Sequence, residues 1–334
     1  VEERPTGEIS ISAGFGTDGE TIGGGIKENN FLGKGINLNT SLELTAESVK
    51  GKFIYAKPNF NYTDNTLFTS VKSSTSDFLT DSGYKTSEIG FSLGTTFEQF
   101  QNIFLSPEID FLLEDLETSN KASSTLKKQE GSYTDLYFNY SINQDLRDKK
   151  FRTEDGYTTT FSQEVPIVSD NAEFANAFQV TKYKKLSSTS DMVGKVSFFG
   201  KTITGLSDDV RISKRLKIPT SKLRGFERGK VGPVENNDYI GGNHVSTLNL
   251  SATLPTVVEG LDNLDVGVFF DAANVWGVDY NSSLDDKSKI RSSTGVALNL
   301  MTPIGPLSFS FANAISKAST DKTETFRFNL GTQF

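Results

Sequence analysis

The chain has 334 residues with a formal net charge of −8, one histidine, 26 phenylalanines, 29 glycines and no cysteine. The lack of cysteine excludes a disulfide framework, a cysteine-ligated zinc cluster and a thiol nucleophile. The acidic balance argues against a nucleic-acid-binding protein, which needs clustered lysine and arginine. High aromatic and glycine content without helical patterns rich in leucine and alanine favours an all-β protein.

Apolar and polar residues alternate along most of the chain. "EISISAGF" places Ile9, Ile11 and Phe15 on one face, and "TFRFNL" near the other end does the same with Phe326 and Phe328. A period of two residues is typical of β-strands with one apolar and one polar face. Sixteen such strands are predicted, at residues 7–16, 20–30, 34–48, 51–62, 66–78, 83–97, 102–117, 131–143, 156–167, 172–186, 192–205, 244–255, 263–276, 290–301, 305–317 and 323–334.

The lengths and polar faces of these strands distinguish between two all-β architectures. The strands run for about 10 residues or more, the length that crosses a bilayer at a tilt. Their polar faces carry glycine, serine, asparagine and paired carboxylates, which suit a wet lumen, whereas a soluble sandwich would turn its apolar faces inward. The sequence therefore predicts a 16-stranded antiparallel transmembrane β-barrel, closed so that no strand edge is left free.

The connections alternate between short and long. "NNFLGKG", "PIG" and the run around "RTEDG" are short and are predicted on the periplasmic side. The runs near 117–130, 205–243 and 277–289 are longer and are predicted to be extracellular. Residues 205–243 are too long for a hairpin turn, and they contain "TSKLRGFERGKVGP", which has no strand period. Loops of this length in compact domains are usually functional.

Three further patterns resemble chemical sites. "GFGTDG" matches the glycine spacing of a nucleotide-binding turn, but no helix follows it to hold a phosphate. Glu108, Asp110 and Glu114 fit the wall of a polar lumen better than acid–base chemistry. His244 follows no G-x-S-x-G motif that would supply an activated serine. No enzymatic site, metal or cofactor is predicted.

Several stretches resemble one family in their sequence and in their order along the chain. They are "LRGF" at Leu223–Phe226, "VGP" at 231–233, "IGGN" at 240–243, "NNFLGKG" at 29–35, "FFDAANVW" at 269–276 and "IRSSTGVALNLMTPIGPLSFSFANAI" at 290–315. Together they resemble the BamA family of outer-membrane barrel-assembly proteins. "VEERPTG" resembles the junction after the last periplasmic POTRA domain. Residues 1–334 are thus expected to be a barrel domain, with residues 1–6 as the remnant of that linker.

The resemblance implies that the loop 205–243 folds into the lumen and that its Arg-Gly-Phe tip docks on the inner wall. Asp271 is the expected acceptor, because its strand parity turns it inward. Arginine can hold a carboxylate through two hydrogen bonds, which lysine does less well. Glycine would allow a tight turn beside a wedged phenylalanine. The predicted latch comprises Leu223, Arg224, Gly225, Phe226 and Asp271.

The resemblance also implies a short, weak pairing between the first and last strands, which opens sideways into the membrane. Glycines in "GFGTDGETIGGG" and in "GTQF" lower the strand propensity on both sides of this seam. The terminal phenylalanine resembles the recognition signal of outer-membrane barrels as clients. The residues predicted for the seam and the C-terminal signal are Ile9, Ile11, Phe15, Phe326, Phe328, Leu330, Gly331 and Phe334.

The function that the resemblance implies is a non-enzymatic insertase of the bacterial outer membrane. Unfolded outer-membrane proteins would pair their last strand with residues 7–16, and the new barrel would grow at the seam. Accessory assembly lipoproteins, bound through POTRA domains, and the lipid bilayer are the other expected partners. Two alternatives stay open: a two-partner secretion or TamA-type transporter, which shares the Arg-Gly-Phe loop, and a passive sixteen-stranded porin, which has no use for "LRGF".

Overall fold

A computed structural model describes residues 6–255, 263–284, 286, 289–302 and 305–331. Sixteen antiparallel strands close into a barrel, in the order β1-β18-β17-β16-β15-β14-β11-β10-β9-β8-β7-β6-β5-β4-β3-β2. The predicted fold class is therefore confirmed. In the part of the chain described, no helix is long and apolar enough to cross a membrane.

The barrel strands are β1 (Gly7–Gly16), β2 (Gly19–Phe31), β3 (Ile36–Thr45), β4 (Ser48–Lys57), β5 (Thr66–Phe78), β6 (Tyr84–Phe100), β7 (Ile103–Thr118), β8 (Gly131–Asp145), β9 (Gly156–Ser169), β10 (Glu173–Lys185), β11 (Val193–Gly205), β14 (His244–Thr253), β15 (Leu264–Trp276), β16 (Arg291–Thr302), β17 (Gly305–Ser316) and β18 (Phe326–Leu330). The longest loop carries a short hairpin of β12 (Val234–Glu235) and β13 (Asp238–Tyr239). The helical elements are α1 (Ser124–Lys127) and single 3₁₀ turns at Phe60–Tyr62, Thr220–Lys222 and Ser282–Leu284.

Several predicted strand boundaries are wrong by three residues or more, and two of them have a clear physical cause. The strand predicted at 51–62 is β4 and ends at Lys57, because Asn59 and Asn61 adopt left-handed backbone angles, with φ of 51° and 55°. The last strand begins at Phe326 rather than at residue 323, because residues 322–324 bond to the longest loop. Both differences shorten a strand and leave its place in the barrel unchanged.

Alternation along each strand separates an apolar outer face from an inner face. In β7, Ile109, Phe111 and Leu113 are exposed on the outside, while Asp110 and Glu114 are buried inside. An apolar band of this kind is stable only against lipid, so the barrel wall fits a membrane-embedded position.

The two ends of the barrel differ in their connections. One end, called the turn end, carries links of two to ten residues, among them 32–35, 101–102 and 146–155. At the other, called the loop end, the longer links 119–130, 206–243 and 277–290 lie. Residues 206–243, called the lumen loop, fold back inside the barrel and bury apolar side chains against the inner wall. The buried core therefore lies within the barrel, between the lumen loop and the strands.

Candidate functional site

The structure brings Arg224 of the lumen loop and Asp271 of β15 together. Arg224 Nε donates to Asp271 Oδ2 at 2.7 Å and Nη2 donates to Oδ1 at 2.8 Å, while the Arg224 backbone N–H donates to Oδ2 at 3.1 Å. The guanidinium also lies 3.5 Å from the ring centre of Phe269. Asp271 is fully buried. Two parallel N–H···O bonds and a stacked ring fix the direction of the arginine as well as its charge.

Neighbouring strands hold this pair in place. Asn249 of β14 donates from one amide nitrogen to Asp271 Oδ1 at 2.8 Å and to the carbonyl of Lys222 at 2.7 Å. Ser293 of β16 donates to the carbonyl of Arg224 at 2.5 Å. Three adjacent strands therefore contact the tip of the lumen loop through polar groups, which leaves the buried carboxylate fully bonded.

Gly225, Leu223 and Phe226 account for the close approach of the tip to the wall. Gly225 has a φ of +85°, and a Cβ atom there would lie 3.0 Å from Cβ of Ala312. A side chain at this position would be strained and would press on β17. Leu223 and Phe226 are each 2% exposed. Their apolar cluster also includes Ile218, Val231, Val245, Ala273 and Val275.

The tip also pairs with the segment that leads into β18. Phe226 forms an isolated antiparallel bridge with Thr323. The Glu227 N–H donates to the carbonyl of Lys322 at 3.1 Å, and the Glu324 N–H donates to the carbonyl of Gly225 at 3.2 Å. The lumen loop is therefore bonded directly to the chain that forms one side of the seam.

A second arginine of the lumen loop is wholly buried, and the sequence did not single it out. Arg211 Nη2 donates to Asp135 of β8 at 2.7 Å and to Glu173 of β10 at 3.1 Å, and Nη1 donates to Glu114 of β7 at 3.2 Å. Its guanidinium lies 4.5 Å from the ring centre of Tyr133. Burial opposes its charge, but the carboxylates outweigh burial and hold the pKa of Arg211 above its ordinary value. We call this the Arg211 cluster.

The residues of the Arg211 cluster are far apart in sequence, which hides it from pattern reading. The arginine stands 97, 76 and 38 residues from Glu114, Asp135 and Glu173. The sequence predicts Glu114 as a residue of the polar lumen wall, but in the structure its carboxylate accepts a hydrogen bond from the guanidinium of Arg211. One usable signal was present: three inward carboxylates near one end of a barrel need a counter-charge when they are buried, and "DDVRISKR" in the nearby loop offers it.

Lys217 attaches the lumen loop to a third part of the wall, at β5 and β6. Its ammonium group donates to the hydroxyl of Ser82 and lies 5.4 Å from the ring centre of Phe78 and 5.7 Å from that of Tyr84. Burial lowers the pKa of Lys217 to about 8, against the opposing charge of Asp81. The lumen loop is therefore held on several sides of the barrel rather than at its tip alone.

The seam between β1 and β18 is short. Among the described residues, which end at Gly331, Phe15 with Leu330 and Gly16 with Asn329 form the register pairs, whereas β1 pairs with β2 along its whole length. No described residue pairs with the seam edge of β1 from Gly7 to Gly14.

The side chains predicted for the seam lie mostly on its outer face. Ile9 and Ile11 are 79% and 85% exposed, and the rings of Phe15 and Phe328 lie 5.6 Å apart across the strands. Phe326 stacks on Phe328. Leu330 pairs with Phe15, and Phe334 lies outside the described residues.

Gly331 follows the last residue of β18 and turns the chain. Its φ is +106°, and a Cβ atom there would lie 2.4 Å from the carbonyl oxygen of Ala13 in β1. Its N–H donates to the carbonyl of Pro306 at 3.1 Å. A larger residue would strain the backbone and collide with β1, so glycine permits this close approach at the end of the seam.

On the inner side of the seam, Arg327 connects three elements that the sequence did not link. It forms ion pairs with Asp18 of the β1–β2 turn and with Glu324, where Nε donates at 2.5 Å. Its Nη2 also donates to the carbonyl of Phe226 at 3.4 Å. The first hairpin, the last strand and the tip of the lumen loop therefore meet at one guanidinium.

The comparisons with known sequences extend over the whole chain. An Omp85 superfamily domain matches residues 30–334. Two curated relatives are named "Outer membrane protein assembly factor BamA": that of Neorickettsia risticii (strain Illinois) is 22% identical over 340 residues, and that of Neisseria meningitidis serogroup B (strain ATCC BAA-335 / MC58) is 23% identical over 390 residues. Each match covers 100% of the chain but 46% and 48% of the relatives, so the chain spans about half their length.

Solved structures give the same fold. The crystal structure of BamA from Haemophilus ducreyi lacking POTRA domains 1-3 has a TM-score of 0.88 at 23% identity, covering 100% of this chain and 71% of that one. CdiB from Acinetobacter baumannii has a TM-score of 0.55 at 13% identity, with 97% and 59% covered, and CdiB from Escherichia coli has 0.57 at 11%, with 99% and 64% covered. Since the superfamily domain matches nearly all of it, the chain belongs to the Omp85 superfamily.

Proposed function

We propose that this barrel inserts β-barrel proteins into the bacterial outer membrane through the seam between β1 and β18. The superfamily and the names of the two curated relatives support the location and the activity. The observation that carries the proposal is the seam itself, where two register pairs join β1 to the described part of the last strand.

The edge of β1 is the proposed template for a client strand. Strand addition to an open sheet edge supplies main-chain hydrogen bonds whatever the side chains are, which suits a protein that handles many sequences. The strand Gly7–Gly14 offers that edge next to exposed Ile9 and Ile11. The free energy comes from the client's own strand pairing and from burial of its apolar face in lipid, so the reaction uses no nucleotide and no catalytic residue.

The lumen loop is the proposed brace. Arg224 ties it to β14–β16 through Asp271 and its neighbours, and the Arg211 cluster ties it to β7, β8 and β10. Because buried ion pairs hold the lumen loop to these two groups of strands, we expect the barrel to open at the short seam, where separating the strands requires the least free energy. Client chains and accessory lipoproteins are the proposed partners, the latter through parts of the relatives that this chain does not span.

Client insertion can be measured directly with the purified chain. The chain is reconstituted into liposomes, a urea-unfolded outer-membrane barrel is added, and the folded client is followed by its heat-dependent gel mobility. We expect folding several-fold faster than in empty liposomes of the same lipid. Equal rates, with the reconstituted barrel itself shown to be folded, would reject the insertase.

A passive porin is the alternative from another class. The lumen loop occupies part of the barrel interior with buried apolar clusters, and the guanidinium of Arg211 and the carboxylate of Asp271 are fully buried there. A lumen narrowed by an inserted loop conducts less than an open one. Small, irregular currents across a planar bilayer are therefore expected, whereas large, steady, ion-selective steps would favour the porin.

A further inference from the structure

The outer wall of the barrel has a hollow on β10, β11, β14 and β15, far from the seam. In one row across these strands, Lys184 pairs with Gly194, Gly194 with Ala252, and Ala252 with Val268. Two small residues therefore stand side by side where the neighbouring rows of the wall carry larger side chains. The outer face is recessed at that point.

Apolar side chains surround this recess. Its volume is about 560 Å³. The adjacent row supplies larger neighbours, in which Val196 pairs with Leu250 and Leu250 with Phe270. Leu186, from the connection after β10, closes the side nearest the turn end, and its Cδ2 lies 3.0 Å from where a Cβ of Gly194 would be. The recess is open to the outside of the barrel and is apolar on its sides and floor.

Two lysines stand at one end of the recess. Lys182 and Lys184 have the same outward parity as Phe178, and both are exposed. The ammonium group of Lys184 lies 2.8 Å from a carboxylate oxygen of Asp155, in the β8–β9 connection. Among the residues described, Lys182 has neither a side-chain hydrogen bond nor an ion pair. The lipid-facing positions of β9, β11, β14 and β15 carry no carboxylate beside them.

A lysine that faces lipid within a strand is costly unless an anion accompanies it. Lys182 lies three residues before the last residue of β10, which puts it about 10 Å along the strand from the turn end. This position is nearer the end of the strand than its middle, and a lysine side chain near a strand end can extend to the headgroup region. A recess that accepts an acyl chain, with cations at its rim, is complementary to one class of molecule.

We propose that this recess binds one anionic phospholipid from the leaflet nearest the turn end. Lys182 and Lys184 hold the phosphate, and one acyl chain lies over Gly194 and Ala252 between Leu186 and Leu250. The inference rests on the outer-membrane location given under the proposed function, but it requires neither seam opening nor client insertion. The site lies on the wall away from β1 and β18, so a bound lipid leaves the seam accessible.

Native mass spectrometry of the purified chain in detergent tests the site. Phosphatidylglycerol and phosphatidylcholine with the same acyl chains are the probes. We expect several-fold greater retention of one phosphatidylglycerol, and excess inorganic phosphate should not displace it. Equal retention of both lipids, or displacement by phosphate alone, would overturn the proposal.

Variants test the contributions of the two lysines and of the apolar recess separately. Lys182→Gln with Lys184→Gln should reduce phosphatidylglycerol retention to the level of phosphatidylcholine. Ala252→Phe should abolish retention although both lysines remain, because the ring fills the floor. The matched control is Lys57→Gln, an outward lysine at the end of β4 at the same end of the barrel, and it should change nothing.

Heat-dependent gel mobility verifies that each variant is folded. Undiminished retention in the double lysine variant, or in folded Ala252→Phe, would contradict the site. Since no client is present, a failed insertion assay and a failed lipid assay are independent results.

Discussion

Arg224 makes a set of contacts that depends on its being an arginine. Its fork donates two parallel bonds to Asp271 while its plane lies on Phe269. A lysine ammonium could keep the charge but would lose the second bond and the stacking. The carboxylate it would leave underbonded is fully buried.

We predict that Arg224→Gln weakens docking of the lumen loop tip by about 3–5 kcal/mol, since it leaves a buried carboxylate without its cation. Arg224→Lys should give a smaller loss. Limited digestion with proteinase K, mapped by mass spectrometry, should show new cleavage within residues 220–233. Arg228→Gln is the matched control, because Arg228 is 42% exposed and its pair with Glu47 contributes little. Protection equal to the unmutated chain in Arg224→Gln would refute the proposed latch.

The strand period made part of this site predictable. Parity alone places Asp271 inward, and the loop motif supplies the cation opposite it. The Arg211 cluster was not predictable in the same way, because its partners come from three strands whose lateral spacing is set by the closed sheet. Arg327 was hidden for a similar reason, since its link to Asp18 joins the two ends of the chain.

At the scale of elements, two of the attachments of the lumen loop are separate buried ion-pair sites. Its first arm, residues 206–219, carries Arg211, and its tip carries Arg224. The two arginines contact different strands of the wall and share no partner. Contacts without a common partner contribute independently to stability.

We predict that Arg211→Met exposes the first arm to proteinase K while the tip stays protected. Three carboxylates would lose their buried counter-charge, with a cost of about 3–5 kcal/mol. Lys214→Met is the control, since Lys214 lies 3.7 and 3.8 Å from its carboxylates and is partly exposed. Cleavage confined to the tip, or none in Arg211→Met, would show that the arms are not held separately.

The strands themselves could be predicted from the sequence, but the late start of β18 has a long-range cause. Alternation located all sixteen barrel strands. The late start of β18 did not follow, since residues 322–324 form their backbone bonds with the lumen loop, which lies about a hundred residues earlier in the chain. Such a pairing has no local signature in either segment.

At the scale of the whole molecule, the length of strand pairing differs between the wall and the seam. Neighbouring wall strands, such as β6 with β7 and β10 with β11, pair along most of their length. Buried ion pairs tie the lumen loop to the wall. Among the residues that the structure describes, the seam has two register pairs and a guanidinium on its inner side. The number of strands could be predicted from the sequence period, whereas the register between the first and last strands could not.

The most direct test joins the seam covalently. The chain has no native cysteine. Phe15→Cys and Leu330→Cys place two thiols on register partners of β1 and β18, close enough for a short bifunctional methanethiosulfonate that a reductant removes. Val71→Cys with Phe91→Cys, on β5 and β6, is the matched pair within the wall.

Client folding in liposomes is then measured before linking, after linking and after reduction. The account predicts that linking the seam stops insertion and that reduction restores it, while linking the β5–β6 pair has no effect. Insertion at the unlinked rate through a fully linked seam would contradict it.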